Sequence, residues 1–250
     1  MLLHRRIYQF LIIYFLAIVL LLLLKYGLKL SDYVVPGPSD ILHTAIAEYQ
    51  RYFSDVMNTL MVAVLGQIIS IFMAFLVGIT GRQATWLGSF IKVAAYNVQA
   101  YPIVAIAPIL FILLGDGLLT RLLIAAMICY FPLLLSIIGI MSEPVTDIEH
   151  FYRVTGRMRW QLEVKIRAFE NLNKLTTVIA GSTTLAMAGT IVAEFIAANA
   201  GIGYSIRVAL YQSDLAKILV ALFLIGITLS VYQGVLELSG VLIRRAWVGK

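Results

Sequence analysis

The sequence predicts an all-α, polytopic membrane protein with about six transmembrane helices. Of its 250 residues, 61% are hydrophobic and only 13% are charged, and the mean hydropathy is +0.94. Soluble domains are closer to half apolar and a quarter charged. The apolar residues are also gathered into runs close to the length that a helix needs to cross a bilayer. These runs are 7–24, 60–79, 90–114, 118–141, 177–198 and 216–241.

The first run follows a basic start that contains Arg5 and Arg6. A basic start and an apolar stretch are also typical of a signal peptide. This run is longer than the usual apolar part of a signal peptide, and no A-x-A site follows it. We therefore predict a retained transmembrane anchor over residues 1–26.

The basic residues predict the orientation. If the N-terminus is inside, 13 of the 19 Lys and Arg residues lie in inner segments and 6 lie in outer ones. Cytoplasmic loops carry the excess of Lys and Arg in such proteins. We therefore expect a multi-pass membrane protein with both termini in the cytoplasm, including a short tail at 244–250.

Residues 27–57 then form a periplasmic segment. Pro36 and Pro38 break any helix and keep the chain extended. Ser39 is expected to cap a short amphipathic helix that lies on the membrane boundary. The helix is either a simple spacer or a rim for a partner outside the cell, and the sequence leaves both possibilities open.

The loop at 142–176 is polar and strongly basic. A first helix is expected to end near Gly156, since glycine accepts the positive φ that often follows a helix. A second helix is expected from Met158 to Phe169, with Trp160, Val164 and Ala168 on one face. The loop either contacts lipid headgroups or docks into a groove on another protein, with Trp160 or Met158 as an apolar anchor and arginines at the rim.

Other function classes have little support. Cys129 is the single cysteine, and the three histidines are far apart in sequence, so we expect neither a disulfide nor a metal site. The sequence shows no basic face interleaved with aromatic residues, which would have indicated nucleic-acid binding. The phosphate-binding motif G-x-x-x-x-G-K-[ST] is absent from the sequence. We expect no cofactor and no ATP hydrolysis by this chain.

Polar residues inside the apolar runs are candidates for a solute pathway, because polar groups in hydrocarbon usually face a cavity or a neighbouring helix. The densest group precedes Pro102, which is expected to kink its helix. Interhelical hydrogen bonding is the competing interpretation. The predicted pathway residues are Asn97, Gln99, Tyr101, Thr190 and Glu194.

Five segments, in order, resemble the permease subunits of binding-protein-dependent ABC importers. The loop string Gly156-x-x-Arg159-Trp160-Gln161-Leu162-x-x-Lys165-Ile166 is most similar to the "EAA" coupling loop of the nitrate/sulfonate/taurine-type branch. The other four segments are residues 35–41, 107–115, 131–134 and 191–204. The resemblance covers about Val35 to Leu238.

The loop departs from the family pattern in two places. His150, Phe151 and Tyr152 stand where the family has E-A-A, and Ala168-Phe169 replaces a Leu-Pro pair. A helix that proline ends in the family can continue here. The loop is therefore identified as a divergent member.

The resemblance implies a transmembrane core over 58–243. It further implies a homodimer of permeases in the lipid of the bacterial inner membrane, two cytoplasmic ABC ATPase subunits and a periplasmic or lipid-anchored substrate-binding protein. The solute would be of the sulfonate, nitrate, taurine or pyrimidine-precursor type. The alternative is a self-contained secondary transporter or channel, although no pair of matching broken spans indicates one. The implied ATPase-coupling residues are Tyr152, Arg153, Gly156, Arg157, Met158, Arg159 and Trp160.

Overall fold

The computed structural model describes residues 2–80, 85–143, 146–156 and 160–248, and all regular secondary structure in these ranges is α-helical. Ten helices follow one another in the described ranges. They are α1 (Leu2–Gly27), α2 (Pro38–Thr80), α3 (Thr85–Ala100), α4 (Ile103–Leu114), α5 (Leu118–Ser142), α6 (Thr146–Thr155), α7 (Trp160–Glu170), α8 (Leu172–Ile196), α9 (Ile202–Tyr211) and α10 (Leu215–Val248).

Five of the described helices are long and apolar enough to cross a membrane by themselves: α1, α2, α5, α8 and α10. Helices α3 and α4 pass the same test only as a pair, and would form a sixth span. The predicted fold class, an all-α protein with about six transmembrane helices, is therefore confirmed.

The third predicted span, Phe90–Leu114, is not one helix. It breaks at Tyr101 and Pro102, and the axes of α3 and α4 differ by 84°. Pro102 has no backbone N–H, and its own ψ of 105° is extended. The expected kink at this proline is therefore a complete break, which turns α4 away from the direction of α3.

The second correction concerns α2, which is a single helix of 43 residues. The sequence analysis expected a short amphipathic helix that was separate from the span beginning near Leu60. Residues 39–65 contain neither glycine nor proline, so nothing stops the helix. At 1.5 Å per residue it is about 65 Å long, roughly twice the apolar thickness of a bilayer. Its first half therefore extends beyond the membrane.

The start of α2 also differs from the prediction. Pro38 is the first residue of the helix, a position that suits proline because its missing N–H has no intrahelical partner there. Ser39 consequently lies within the first turn. The side chain of Asp40 accepts a hydrogen bond from the Gly37 N–H at 3.0 Å. Asp40, rather than Ser39, therefore forms the side-chain hydrogen bond to the residues that precede the helix.

Helix α5 packs against both α2 and α8 and supplies more of the largest buried side chains than any other described helix. Leu133, Leu134, Ile137 and Met141 are almost fully buried, together with Met187 of α8. These residues belong to one apolar cluster, which also takes in Val164 and Ala168 of α7. The three helices α2, α5 and α8 therefore form the core on which the other helices pack.

Helix α1 packs on α10. The Tyr14 hydroxyl donates a 3.0 Å hydrogen bond to the Leu219 carbonyl, and the Phe223 ring lies 4.9 Å from the Tyr14 ring. Nearer the start of α1, the guanidinium of Arg6 forms an ion pair with the Glu237 carboxylate. Most of the remaining surface of α1 is exposed, as expected for a helix at the lipid-facing edge of the bundle.

Two further contacts show which helix ends lie together. A Cβ on Gly240 of α10 would lie 3.0 Å from the Thr176 side chain, near the start of α8. With the Arg6–Glu237 pair, this contact places the start of α1, the end of α10 and the start of α8 at one end of the bundle. Helices α6 and α7 precede α8 directly and lie at the same end, whereas α9 lies at the opposite end.

Candidate functional site

The basic loop forms two helices with a glycine between them, a unit that we call the α6–α7 elbow (described residues 146–156 and 160–170). Helix α6 ends at Thr155, and Gly156 follows with a φ of +69°. A side chain at residue 156 would be strained at this φ, even though no atom lies within 4 Å of where its Cβ would be. The predicted end of the first helix near Gly156 is therefore confirmed.

The second helix of the elbow is attached to the core. Val164 and Ala168 of α7, which the sequence placed on one face, pack on the main apolar cluster. Arg167 donates a hydrogen bond to the Glu143 carbonyl at the end of α5, and Lys174 forms an ion pair with the Glu143 side chain. A force applied to α7 would therefore reach both α5 and α8.

The first helix of the elbow presents apolar side chains to its surroundings. Phe151 is 41% exposed and Val154 is 71% exposed. Apolar side chains that are exposed outside a bilayer are typical of a surface that binds another protein. The elbow therefore combines one helix that packs on the core with a second helix that exposes Phe151 and Val154.

Several predicted coupling residues lie outside the described part of the chain. Arg157, Met158 and Arg159 are among them. Tyr152, Arg153 and Trp160 belong to described helices, but their side chains are outside the description. Of the seven predicted residues, only Gly156 is described completely.

Helix α7 ends at Glu170, and α8 begins at Leu172. The Asn171 side chain between them donates to the Arg167 carbonyl at 3.1 Å. The sequence analysis noted that the loop lacks the proline that ends this helix in the family. The structure places a one-residue turn at Asn171 between α7 and the span that follows, so the helix ends here without that proline rather than continuing.

The predicted pathway residues fall into two groups. Asn97, Gln99 and Tyr101 are exposed at the end of α3, just before the break. Thr190 and Glu194 lie on α8 and are fully buried. The single chain does not bring the two groups to a common surface.

Glu194 lies at the centre of a buried polar network at the α9 end of the bundle. Its Oε2 accepts hydrogen bonds from the Thr59 hydroxyl at 2.7 Å and from the Gly203 N–H at 3.1 Å. Its Oε1 accepts from Arg121 Nη1 at 3.3 Å. Arg121 also donates to Asn58 Oδ1 at 3.0 Å. The network joins α2, α5, α8 and the start of α9.

Thr190 has a different environment. Its hydroxyl donates to the Ala186 carbonyl of its own helix at 2.9 Å, as threonines inside helices commonly do. Thr190 therefore has a hydrogen bond that requires no solute, and Glu194 has three.

The sequence analysis missed Arg121 and Thr59 as members of this network. Arg121 was counted only as a basic residue of an outer segment, yet it is 8% exposed. Its position within the apolar run 118–141 was a usable signal, since a charge inside a span requires a partner. Thr59 carried no such signal, because a lone threonine at the start of an apolar run is ordinary.

A second polar contact joins three long helices. The Gln67 side chain of α2 donates to the Ile179 carbonyl and the Ser182 hydroxyl of α8, both at 2.8 Å. Its Oε1 accepts a hydrogen bond from the Tyr232 hydroxyl of α10. Buried amides that have every partner satisfied fix the packing of the helices they join. Gln67 is therefore accounted for as an interhelical contact.

Among the described residues, no group of three or more His, Cys, Asp or Glu side chains is placed to hold a metal ion. The polar groups that the structure brings together instead connect helices.

Comparison with known proteins assigns the chain to a family. Residues 66–245 match the model of the family described as "binding-protein-dependent transport system inner membrane component". The matched range begins within α2 at Gly66, includes the whole of α5, the elbow and α8, and ends in the last turn of α10.

Individual relatives are transport permeases by name. The riboflavin transport system permease protein RibX of Chloroflexus aurantiacus is 36% identical over 156 residues, which are 61% of this chain and 58% of RibX. The formylaminopyrimidine transport permease protein ThiX of Halalkalibacterium halodurans is 21% identical over 79% of each chain. A probable ABC transporter permease protein of Haemophilus influenzae is 21% identical over 80% of this chain and 82% of its own length.

None of these three names mentions nitrate, sulfonate or taurine, so the branch suggested by the loop string is not confirmed. Membership of the wider family is shown, because the family model covers well over half of the chain. The chain therefore belongs to the family of inner membrane components of binding-protein-dependent transport systems, the permease components of ABC transporters.

Proposed function

We propose that two copies of this chain form the solute pathway of an ABC importer. In this proposal a partner ATPase drives the importer, and a substrate-binding protein outside the membrane delivers the solute. The observation that carries the proposal is the family match over residues 66–245, which includes the α6–α7 elbow. A solute pathway requires no chemistry in the chain itself. The ATPase would supply the free energy.

In the proposed mechanism the elbow is the contact with the ATPase. Helix α6 would offer Phe151 and Val154 to a groove on the ATPase, with the neighbouring arginines at the rim. Helix α7 would pass the movement to α5 and α8 through Val164, Ala168 and the contact of Arg167 with Glu143. Gly156, with its positive φ, begins the turn that leads from α6 toward α7.

We further propose that the elbow and both termini lie in the cytoplasm. The excess of basic residues in the inner segments favours this orientation. The packing of the helices is compatible with it, because α1 begins and α10 ends at the same end of the bundle as the elbow. Helix α9 and the first half of α2 would then face the binding protein.

The exposed polar groups of α3 support the presence of a second copy of the chain. Asn97 and Gln99 are exposed on a helix that belongs to a membrane span. An amide that faces hydrocarbon loses its hydrogen bonds with water, and this loss costs roughly several kcal/mol. A second copy placed against α3 and α4 would enclose these amides in a polar passage and remove that cost.

For the solute we propose a planar heteroaromatic compound that contains a pyrimidine ring. Riboflavin and formylaminopyrimidine, which appear in the names of two relatives, share that ring. The exposed end of α3 carries Tyr96 beside Asn97 and Gln99, and the exposed Tyr101 follows at the break. Tyrosine rings stack on aromatic solutes, and amides donate to and accept from the edges of a pyrimidine. The side chains available at α3 therefore suit this class of solute.

Reconstitution in proteoliposomes tests the proposal. The chain would be purified with the ATPase that accompanies it in the membranes of its own cells, and uptake of labelled riboflavin and formylaminopyrimidine would be followed. The proposal expects uptake that requires ATP, the ATPase and the binding protein. Uptake by this chain alone, driven by an ion gradient, would instead establish the secondary transporter or channel.

A further inference from the structure

Helix α9 begins without a cap of its own. The residue before it is Gly201, with a φ of +91°, and no side chain at that position can accept a hydrogen bond. The first N–H groups of any helix have no partner within the helix. Ile202 and Gly203 are fully or almost fully buried, so water does not supply the missing acceptors.

The acceptors come from two other helices. The Ile202 N–H donates to the Thr59 hydroxyl of α2 at 2.9 Å, and the Gly203 N–H donates to Glu194 Oε2 of α8 at 3.1 Å. The Thr59 hydroxyl donates in turn to the same carboxylate oxygen at 2.7 Å. A carboxylate at the start of a helix is also favoured by the helix dipole.

The two glycines are needed for this arrangement. A Cβ on Gly201 would lie 2.2 Å from the Glu194 carboxyl group, and one on Gly203 would lie 2.4 Å from the Ile191 carbonyl. Both distances are far shorter than a van der Waals contact. The start of α9 can therefore approach Glu194 this closely only because residues 201 and 203 lack side chains.

The buried carboxylate has a cationic neighbour on a fourth element. Arg121 of α5 donates to Glu194 Oε1 at 3.3 Å, and both side chains are buried. A buried carboxylate without such a partner is costly. Arg121 therefore makes it possible for Glu194 to serve as an acceptor at this depth.

We propose that Thr59, Arg121 and Glu194 are positioning residues that hold the start of α9 and make its orientation depend on how α2, α5 and α8 pack. The functional part of the inference rests on the function proposed above. During transport the three core helices rearrange, and this network carries the rearrangement to α9 at the surface that receives the solute. Glu194 thereby acts through α9 rather than by touching solute.

Hydrogen–deuterium exchange of the protein in lipid nanodiscs tests the positioning role. Thr59→Val removes the hydroxyl with little change of volume, and Thr59→Ser keeps it. Thr183→Val is the matched control, because Thr183 is equally buried and its hydroxyl donates only to the Ala180 carbonyl of its own helix. We expect Thr59→Val to accelerate exchange at the start of α9 by about tenfold, since a buried N–H loses its acceptor. Thr59→Ser and Thr183→Val should leave that exchange close to wild type.

Two outcomes would overturn the inference. One is unchanged exchange at residues 202–205 in Thr59→Val, and the other is an equal acceleration throughout α2, α5 and α8. Should Thr59→Val fail to fold, Gly203→Ala perturbs the same contact from the side of α9. Gly203→Ala should accelerate exchange in α9 more than in any other helix. Equal acceleration in all helices, or none, would count against the inference.

A second measurement separates this inference from the proposed function. In the assembled transporter we expect Thr59→Val to lower the ratio of ATPase activity with the loaded binding protein to activity without it, and Thr59→Ser to restore that ratio. A ratio equal to wild type in Thr59→Val contradicts the role in transport. If wild type itself shows no stimulation, the proposed function fails, while the exchange result still decides whether Thr59 and Glu194 hold α9.

Discussion

A Cβ on Gly66 of α2 would lie 3.1 Å from the Cβ of Ala125 on α5. On the other side of α5, a Cβ on Gly189 of α8 would lie 3.2 Å from the Cα of Ala125. Glycines of α2 and α8 therefore both pack against one small residue of α5, Ala125. Small residues at helix contacts permit such an approach in membranes.

The first prediction follows from this junction. Ala125→Leu should lower the stability of the protein by about 1–3 kcal/mol, because a well-packed core has no room for the added carbons. Ala17→Leu on the exposed side of α1 is the control and should have little effect. Cys129, which is the single cysteine and is fully buried, allows unfolding to be followed with a thiol-reactive dye on heating. Equal melting temperatures for the two variants would contradict the described junction.

The attachment of α1 gives the second prediction. A Cβ on Gly226 of α10 would lie 2.0 Å from the Phe10 ring. Gly226→Val should therefore separate α1 from α10, and the double variant with Phe10→Ala should restore part of the contact. Protease accessibility of α1 in nanodiscs measures the separation. If Phe10→Ala leaves the Gly226→Val protein unchanged, the two residues do not contact each other as described.

The ion pair of Arg6 with Glu237 gives the third prediction. Both groups are partly exposed, so the coupling energy between them should be only about 1 kcal/mol. Arg6→Gln should destabilise the protein, because it leaves the Glu237 carboxylate at the edge of the bundle without its cation. Arg6→Gln with Glu237→Gln should be more stable than Arg6→Gln alone. A double-mutant cycle of melting temperatures measures the coupling, and simple additivity would contradict the contact.

The fourth prediction concerns the turn of the elbow. Gly156→Ala should reduce solute-stimulated ATPase activity several-fold, because alanine at a φ of +69° costs about 1 kcal/mol and changes the angle between α6 and α7. Gly139→Ala is the matched control, since that glycine is also exposed with no atom within 4 Å, but lies inside α5. It should retain wild-type activity. The same loss in both variants would show that the positive φ of Gly156 is not what matters.

Much of the fold could be predicted from the sequence because hydropathy over long windows decides which segments enter a membrane. The runs 7–24, 118–141 and 177–198 correspond to α1, α5 and α8 within a few residues. The turn at Gly156 was also predictable, because glycine is the residue that accepts a positive φ at low cost. The continuous helix α2 was also predictable in principle, because residues 39–65 contain neither glycine nor proline.

The buried network could not be predicted in the same way. Thr59 and Glu194 are 135 positions apart in sequence. Thr59 also accepts a hydrogen bond from the N–H of Ile202, which is 143 positions away. No local pattern encodes such a pairing. The sequence showed that Glu194 was a costly residue within a span, and only the packing of α2 and α5 against α8 showed how that cost is met. The break at Pro102 was predicted as a bend, but its angle depends on how α4 packs against α5 and α8.

Site-specific photo-crosslinking from the elbow tests the central claim most directly. A benzophenone amino acid at Val154, which is 71% exposed on α6, would be activated in the membranes of cells that assemble the transporter. The same group at Tyr211, which is 82% exposed at the end of α9, is the control from the opposite end of the bundle. We predict that position 154 yields a covalent adduct with an ABC ATPase subunit and that position 211 yields none with it. Adducts with the ATPase from position 211 and none from position 154 would contradict the proposed coupling.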